Sequence, residues 1–436
     1  MPAKSTRGKM TLAKQMCNHI PPHLVPKLGR EYKVDARSFS EWSHVVALVC
    51  GQLTHAVGLT DICDGLDLNR SKLKEIRGAE PPKRNTFSHA NRTRDWRMAK
   101  ELFWQVLYHL QSVEPAFAKG RMRRGYLRRF KTAIYAVDST TIQLVANCMD
   151  WAKHRRRKAA AKCHMNLNLQ TMLPRIAVVD TAKFHDSKMA WQVCGVLEEG
   201  EIVLFDKAYI DFVHLHDLDE RGVPWVSRAK DNMSYRVVEN LRSTSHPSVL
   251  CDQVIELTGK KAAEHYPKCL RLVKAIVEVN GQSQVMTFIT NNFKWSGWSV
   301  AELYRARWDI EVFFKELKQT VQLVDFVGYN QNAVQWQIWM ALLTHLLMRF
   351  VAHLSQWGHT FRRLFTLLRA GLWHRFDIIA FLESYGTAGG LCRMRACPEQ
   401  AYFPGFGTPP DYPVGQPRRR KPATKSLYRK IMQCTA

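Results

Sequence analysis

The sequence predicts an α/β domain carrying a β-rich insertion, preceded by an all-helical N-terminal domain. Three observations predict it. Apolar residues recur at helical spacing through roughly the first 120 residues, as in Trp42, Val45, Val46, Val49 and again in Leu102, Phe103, Val106, Leu110. The texture changes at Thr132, where short β-prone runs begin and then alternate with helical ones. A second β-rich block follows before two long helical stretches close the pattern.

Taken in order, residues 1–34 are basic and Pro-containing and are expected to be loosely ordered. Residues 35–125 form the helical N-terminal domain, interrupted at Pro81-Pro82 and ending in a basic stretch. Residues 130–229 hold the first part of the α/β core. Thr132–Val137 is a strand that ends at Asp138, and Cys163–Leu169 and Arg175–Val179 complete a three-strand meander. Ser187–Leu197 reads as a helix, Glu201–Phe205 as a buried strand ending at Asp206, Asp211–Glu220 as a helix opened by Asp211, and Pro224–Ser227 as a short strand. The insertion spans 230–292, with strands over Leu250–Leu257, Leu270–Val279 and Gln284–Thr290. Residues 293–355 return to the core with one helix from Val300 to about Val321 and another from Ala333 to about Leu354. Residues 356–436 form a C-terminal region and basic tail, to which no structure is assigned from about Gly386 onward. Three strands, helix, strand, then further helices is the order of a ribonuclease-H-like domain, although many α/β domains share pieces of it.

Composition narrows the partner. Lys and Arg number 64 against 38 Asp and Glu, a formal charge of +26. Such a chain has affinity for a polyanion, nucleic acid first and an anionic membrane surface second. Lys119–Lys131 carries seven basic residues and Lys153–Lys162 six, neither run with an acid, and Arg418–Lys421 forms a third cluster. The eleven cysteines include no C-x-x-C pair, and no secretory signal opens the chain, so reduced thiols in an intracellular setting are expected. The most apolar stretch, Ile338–Leu354, contains His345, Arg349 and His353; it is short for a membrane span and reads as a core helix.

Two acids stand at the ends of buried strands, Asp138 before Ser-Thr-Thr and Asp206 before Lys-Ala-Tyr. A carboxylate there is held rigidly at the sheet's end, as a metal ligand needs; a turn-forming or capping Asp is the plainer alternative. Among Glu302, Asp309, Glu311 and Glu316, helical geometry singles out Glu311. At about 100° per residue it shares an arc of roughly 60° with Tyr304, Arg307 and Lys318, while the other three acids face away. A salt-bridged solvent face would also explain the Arg307–Glu311 pair. Hydrolysis of a phosphodiester needs an activated oxygen nucleophile and a stabilised leaving oxygen. Two Mg²⁺ ions about 4 Å apart, held by hard carboxylate ligands, supply both.

The run Tyr304-x2-Arg307-x3-Glu311-x6-Lys318 resembles the YREK motif of a large family of bacterial insertion-sequence DDE transposases, the insertion-sequence-four type. Val137-Asp-Ser-Thr is similar to that family's first-aspartate block and Phe205-Asp-Lys-Ala-Tyr to its second; Ile289-Thr-Asn-Asn and Gly328-Tyr-Asn-Gln-Asn also fit. The resemblance covers roughly residues 35 to 355. It implies cut-and-paste transposition through a DNA hairpin. Asp138, Asp206 and Glu311 would be the catalytic metal ligands for two Mg²⁺, with Mn²⁺ as substitute, and Tyr304, Arg307 and Lys318 would contact phosphates. It further implies double-stranded DNA as partner (terminal inverted repeats and target), a homodimer in the synaptic complex, no membrane, and a cytoplasmic, nucleoid-associated location. An aromatic that holds a flipped base is also implied; Trp225, Trp295 and Trp298 are candidates, Trp298 foremost.

Weaker candidates are His164 and His185-Asp186 for DNA or metal contact, with a satisfied histidine and a capping Asp as the alternative. Ser88, His89, Asn91, Arg92 and Arg94 are candidates for DNA contact from the N-terminal domain, or for a solvated helix face. Two other functions fit the same sequence: a catalytically inactive or domesticated DNA-binding relative, and a sequence-independent ribonuclease-H-type nuclease.

Overall fold

A computed structural model describes residues 7–385, apart from residues 37, 121–124, 145–147, 156–157, 182–185, 242–245, 280–281 and 321–326. The chain opens with eight helices: α1 (Leu12–Cys17), α2 (Leu24–Glu31), α3 (Glu41–Thr54), α4 (Leu59–Leu68), α5 (Arg70–Lys74), α6 (Arg84–Thr93), α7 (Arg97–Val113) and α8 (Pro115–Lys119). Then come β1 (Ile134–Leu144), α9 (Met149–Ala152), β2 (Lys153–Arg155), β3 (Lys158–Asn168), β4 (Leu173–Thr181), α10 (Asp186–Cys194), β5 (Ile202–Phe205), α11 (Phe212–Glu220) and β6 (Trp225–Arg228). The insertion contributes β7 (Tyr235–Asn240), β8 (Val249–Leu257), α12 (Lys260–His265), β9 (Leu270–Val279) and β10 (Gln282–Thr290). Five helices follow: α13 (Gly297–Ala306), α14 (Trp308–Thr320), α15 (Gln331–Leu354), α16 (Phe361–Gly371) and α17 (Ile378–Ser384).

The strands join one sheet. From one edge, β4 pairs with β3, and the order continues β3–β1–β5–β6–β10–β9–β8–β7. The β1–β3 and β3–β4 pairs are antiparallel, whereas β5 runs parallel to β1 and to β6. A meander followed by parallel strands beside its first member, with helices on both faces, is the ribonuclease-H-like arrangement. The insertion does not stand apart from it, because β10 pairs antiparallel with β6.

Strand alternation sorts the side chains between the two faces. Tyr135 and Val137 of β1 pack with Val203, Phe205 and residues of α10 and α11. Ile134 with Ile202 and Leu204 faces α13, and Ala136 on the same side joins the cluster under α14 and α15. The even-numbered positions of β1 and β5 therefore look toward the motif-bearing helices, and the odd-numbered ones toward α10.

The N-terminal segment departs from expectation. Residues 7–34 are ordered, and Leu12, Met16, Val25 and Leu28 are fully buried. Ala13 N–H donates to Leu372 O at 3.0 Å, and the Gln15 side-chain amide donates to Phe376 O. The partners lie some 360 residues away, and helices of six and eight residues are too short to reveal themselves by periodicity. Nor do the N-terminal helices close on themselves. α3, α6 and α7 all pack on α15, and one apolar cluster runs from Leu12 to Phe117 and on through Phe313, Trp336, Leu347 and Phe381. α15 is, among the described residues, the one single helix long and apolar enough to cross a membrane, and most of it is buried inside the protein. The C-terminal region is helical as far as Ser384; Arg418–Lys421 lies outside the described residues.

Candidate active site

Three departures from the sequence expectations shape the site. β1 does not stop at Val137. It runs to Leu144 against β3, and only its parallel pairing with β5 ends there, at Val137↔Phe205. The Ser-Thr-Thr that follows Asp138 is β-compatible and continues the ladder, with Asp138 opposite Met165. The sheet end that faces the site is thus a local one, between β1 and β5. Secondly, the helix expected from Val300 to Val321 is two helices. At Arg307 the ladder tightens: Arg307 N–H donates to Tyr304 O at 3.0 Å and Ile310 N–H to Arg307 O at 3.1 Å. Neither Gly nor Pro marks this junction, so the periodicity could not reveal it. Thirdly, Trp298 stacks on His246, with ring centroids 3.7 Å apart and planes 7° from parallel.

Because Val137 and Phe205 are partners, Asp138 and Asp206 leave the parallel pair side by side, both on the α13–α14 face. Asp138 Oδ1 accepts from Ser139 N–H at 2.7 Å, and Asp206 Oδ1 accepts from Lys207 N–H at 2.7 Å, capping the 3-10 turn Lys207–Tyr209. Arg307 donates to Asp138 Oδ2 at 3.1 Å and to Glu311 Oε1 at 2.6 Å, and so ties the strand to α14. The Tyr304 hydroxyl donates to Asp206 Oδ1 at 3.4 Å, and its ring lies under the Arg307 guanidinium, 5.4 Å from the centroid. Five of the six acid and motif residues are thereby linked in one chain of contacts, with Arg307 at its centre and Asp206 joined through Tyr304. Lys318 lies two turns beyond Glu311, half-buried near Cys163 of β3.

The electrostatics are strained. Burial pushes Asp138 up to about 6, even though Arg307 and the Ser139 N–H favour its charged form; Glu311 and Asp206 add to the rise. Burial also opposes the charge on Arg307, but Tyr304, Asp138 and Glu311 together hold its pKa above the ordinary value. Burial raises Tyr304 to about 12, so it is a hydrogen-bond donor at neutral pH. Lys318 is lowered by burial.

Beside Asp206 opens a cleft of about 830 Å³, lined by Arg228, Tyr304, Arg305, Arg307 and Trp308 among others. Trp308 is 48% exposed there. It was not singled out from the sequence, although it directly follows Arg307 in the motif. Of the aromatics that were, Trp225 is fully buried under the sheet, Trp295 packs edge-on against Phe130, and Trp298 is covered by His246. Among the described residues, no three His, Cys, Asp or Glu side chains converge closely enough to hold a metal ion as they stand. Arg307 is the reason at this site, since it is bonded to both Asp138 and Glu311. The donor set itself, carboxylate oxygens on rigid strand ends, suits a hard divalent cation.

The sequence pattern of the family described as "Transposase DDE domain" matches residues 129–347, half of the chain. The chain belongs to that family. Its members cleave DNA and transfer strands, with divalent metal ions as cofactors, and this transposase acts on DNA. The matched segment begins just before β1 and ends within α15, so it contains all three acids, the four motif residues and the insertion. A second pattern, a domain of unknown function, matches residues 9–77, from before α1 to just past α5. The transposase is 26% identical over 284 residues to a putative transposase, y4zB, of Sinorhizobium fredii, covering 65% of this chain and 79% of that protein. It is 21% identical over 303 residues to a putative transposase for insertion sequence element IS4SA of Synechocystis sp., covering 69% and 80%. Among solved structures, a piggyBac transposase synaptic complex with hairpin DNA aligns over 87% of this chain and 84% of that one, at 10% identity and a TM-score of 0.43.

The other candidates divide. Asn91 is buried and bonded to His44 at 2.7 Å, and Arg94 donates to Phe39 O and Ser40 O, so both hold helices together. Ser88, His89 and Arg92 lie exposed along α6. Asp211 caps α11 by accepting from Val213 and His214 N–H. Of the basic runs, 121–124 and 156–157 lie outside the described residues.

Proposed function

We propose that Asp138, Asp206 and Glu311 are the catalytic carboxylates of this transposase and hold two Mg²⁺ ions, for which Mn²⁺ substitutes. The observation that carries the reading is the pairing of Val137 with Phe205, which sets two acids side by side, together with the Arg307 bridge that brings Glu311 to them. When bound, the ions supply Lewis-acid activation of the attacking oxygen and neutralise the leaving one. The chain's own residues do the rest. Asp138 and Asp206 present oxygens from rigid backbone. Arg307, which bonds both Asp138 and Glu311, would have its donors available for a phosphate of the cut end were a cation held by those carboxylates. Tyr304 donates a second bond, Lys318 contacts a phosphate further along, and Trp308, rather than Trp298, offers the exposed ring on which an unstacked base rests.

In this reading the protein works as a homodimer on double-stranded DNA at terminal inverted repeats, in the bacterial cytoplasm at the nucleoid. Water attacks at the element end, the freed 3′-OH closes a hairpin, and the reopened end joins target DNA. Glu311→Gln is expected to abolish cleavage of end-containing DNA in Mg²⁺ while end binding stays within about twofold. Cleavage retained in that variant overturns the assignment. Wild-type protein that binds ends and yields no product in Mg²⁺ marks an inactive DNA-binding relative instead.

A further inference from the structure

The two strands that carry the acids have a second face, and polar side chains gather there. Ser139, next to Asp138, points away from α14. Its hydroxyl donates to Asp186 Oδ1 at 2.7 Å, at the first residue of α10. Lys162 of β3 reaches the same carboxylate at 2.8 Å, and His164, directly opposite Ser139 in the ladder, lies 3.5 Å from it. Tyr209 joins the same group through His164, whose Nδ1 lies 3.2 Å from the Tyr209 hydroxyl and 3.5 Å from Asp186. Tyr209 closes the 3-10 turn that Asp206 caps. One carboxylate is thus tied to the residue after Asp138 and, through His164, to the turn after Asp206, from behind the sheet.

Resting on the metal-site reading above, we infer that Asp186 is a positioning residue: through Ser139 and Tyr209 it fixes the spacing of Asp138 and Asp206 and so sets the affinity for divalent metal. Asp186 is not itself a ligand, because the Lys162 ammonium sits against its oxygens where a cation would bind. The group is well suited to the task. His164 is lowered to about 4 by burial and stays neutral, so the cluster holds one anion and one cation in a partly dry site. Removing a supporting group of this kind typically weakens metal affinity or activity about 10–100-fold.

The test is Mn²⁺ binding to the full-length protein, read by the loss of the free-ion paramagnetic resonance signal, alongside thermal denaturation. Asp138→Asn is expected to lose most binding; if it binds as wild type does, the metal-site reading fails and takes this inference with it. Given that loss, Asp186→Asn is expected to bind Mn²⁺ about tenfold or more weakly. Ser139→Ala, which breaks one link and leaves the ion pair, is expected to bind several-fold more weakly with little change in melting. In Lys162→Met/Asp186→Asn the stranded ammonium is gone, so melting recovers toward wild type while Mn²⁺ binding stays weak. If Asp186→Asn and Ser139→Ala both bind Mn²⁺ as wild type does, Asp186 is merely structural and the inference is wrong. Should Asp186→Asn not fold, Ser139→Ala decides alone.

Discussion

Replacing Asp138 by Asn is expected to stabilise the metal-free protein at neutral pH. Folding moves this carboxyl from an ordinary 3.8 up to about 6, with burial as the main cause. A raised acid favours the folded state only while it is protonated. Its contribution is therefore complete below about pH 4 and is lost as the pH rises through about 6. A gap of about two pH units corresponds to about 3 kcal/mol. The side chain is only 19% exposed, so solvent screens little of this. Asn keeps an acceptor for Arg307 and removes the buried charge. Denaturation in chelator at pH 7.5 is expected to find Asp138→Asn more stable than wild type by 1 kcal/mol or more, with about 3 kcal/mol as the ceiling, and the difference should vanish near pH 4. Adding Mg²⁺ at about a thousand times its Kd should reverse the order at pH 7.5, since it stabilises only the wild type, by about 4.1 kcal/mol. A variant less stable than wild type at pH 7.5 in chelator, by an amount independent of pH, would refute the reasoning. The Arg307–Asp138 pair would then outweigh the burial of the charge.

Three other outcomes are expected. Glu316 of α14 is bonded to Arg349 of α15, so Glu316→Gln removes a charge that pairs a half-buried cation and should cost about 1–3 kcal/mol in denaturant unfolding; because the same contact anchors the Glu311 helix, cleavage should also slow. Trp308→Ala removes an exposed ring and should leave the melting temperature unchanged within a degree or so while lowering the cleavage rate, and an unchanged rate would remove Trp308 from the cleft's DNA path. Binding to end DNA, measured by fluorescence anisotropy, should weaken steeply and log-linearly with salt, with a slope of about −0.9 per phosphate neutralised; a flat response would place the interface away from the basic clusters.

Much of the candidate site is legible because strand ends announce themselves. Runs such as Ile134–Val137 and Ile202–Phe205 are apolar and β-prone, and an Asp directly after each is conspicuous. The order of the core strands and the meander could be read for the same reason. What escaped was set by partners distant in sequence. β7 has every residue exposed, so no buried face marked Tyr235–Asn240 as a strand. Trp298 is stacked by His246, some fifty residues earlier, a contact that no local pattern expresses. The placing of Tyr304, Arg307, Glu311 and Lys318 on one helix face assumed a continuous helix. The break at Arg307 separates Tyr304 from Glu311, yet Arg307 touches both, which a 3.6-residue repeat has no means of expressing. Asp186 was noted as a cap; its bond to Ser139 depends on which way two strands face, and that follows only from their register.

The dependence of α3, α6 and α7 on α15 bears on how the chain is made. Roughly 240 residues separate the end of α7 from the end of α15. At a synthesis rate of about 5–20 residues per second, the first helices emerge about 10–50 s before the helix they pack on. Throughout that interval the faces that pack on α15 have no native cover. Holdase chaperones and proteases meet the nascent helical layer before the enzyme exists. The yield of active protein is then a race between elongation and capture, and a nonsense product ending before Gln331 has no route to a closed core.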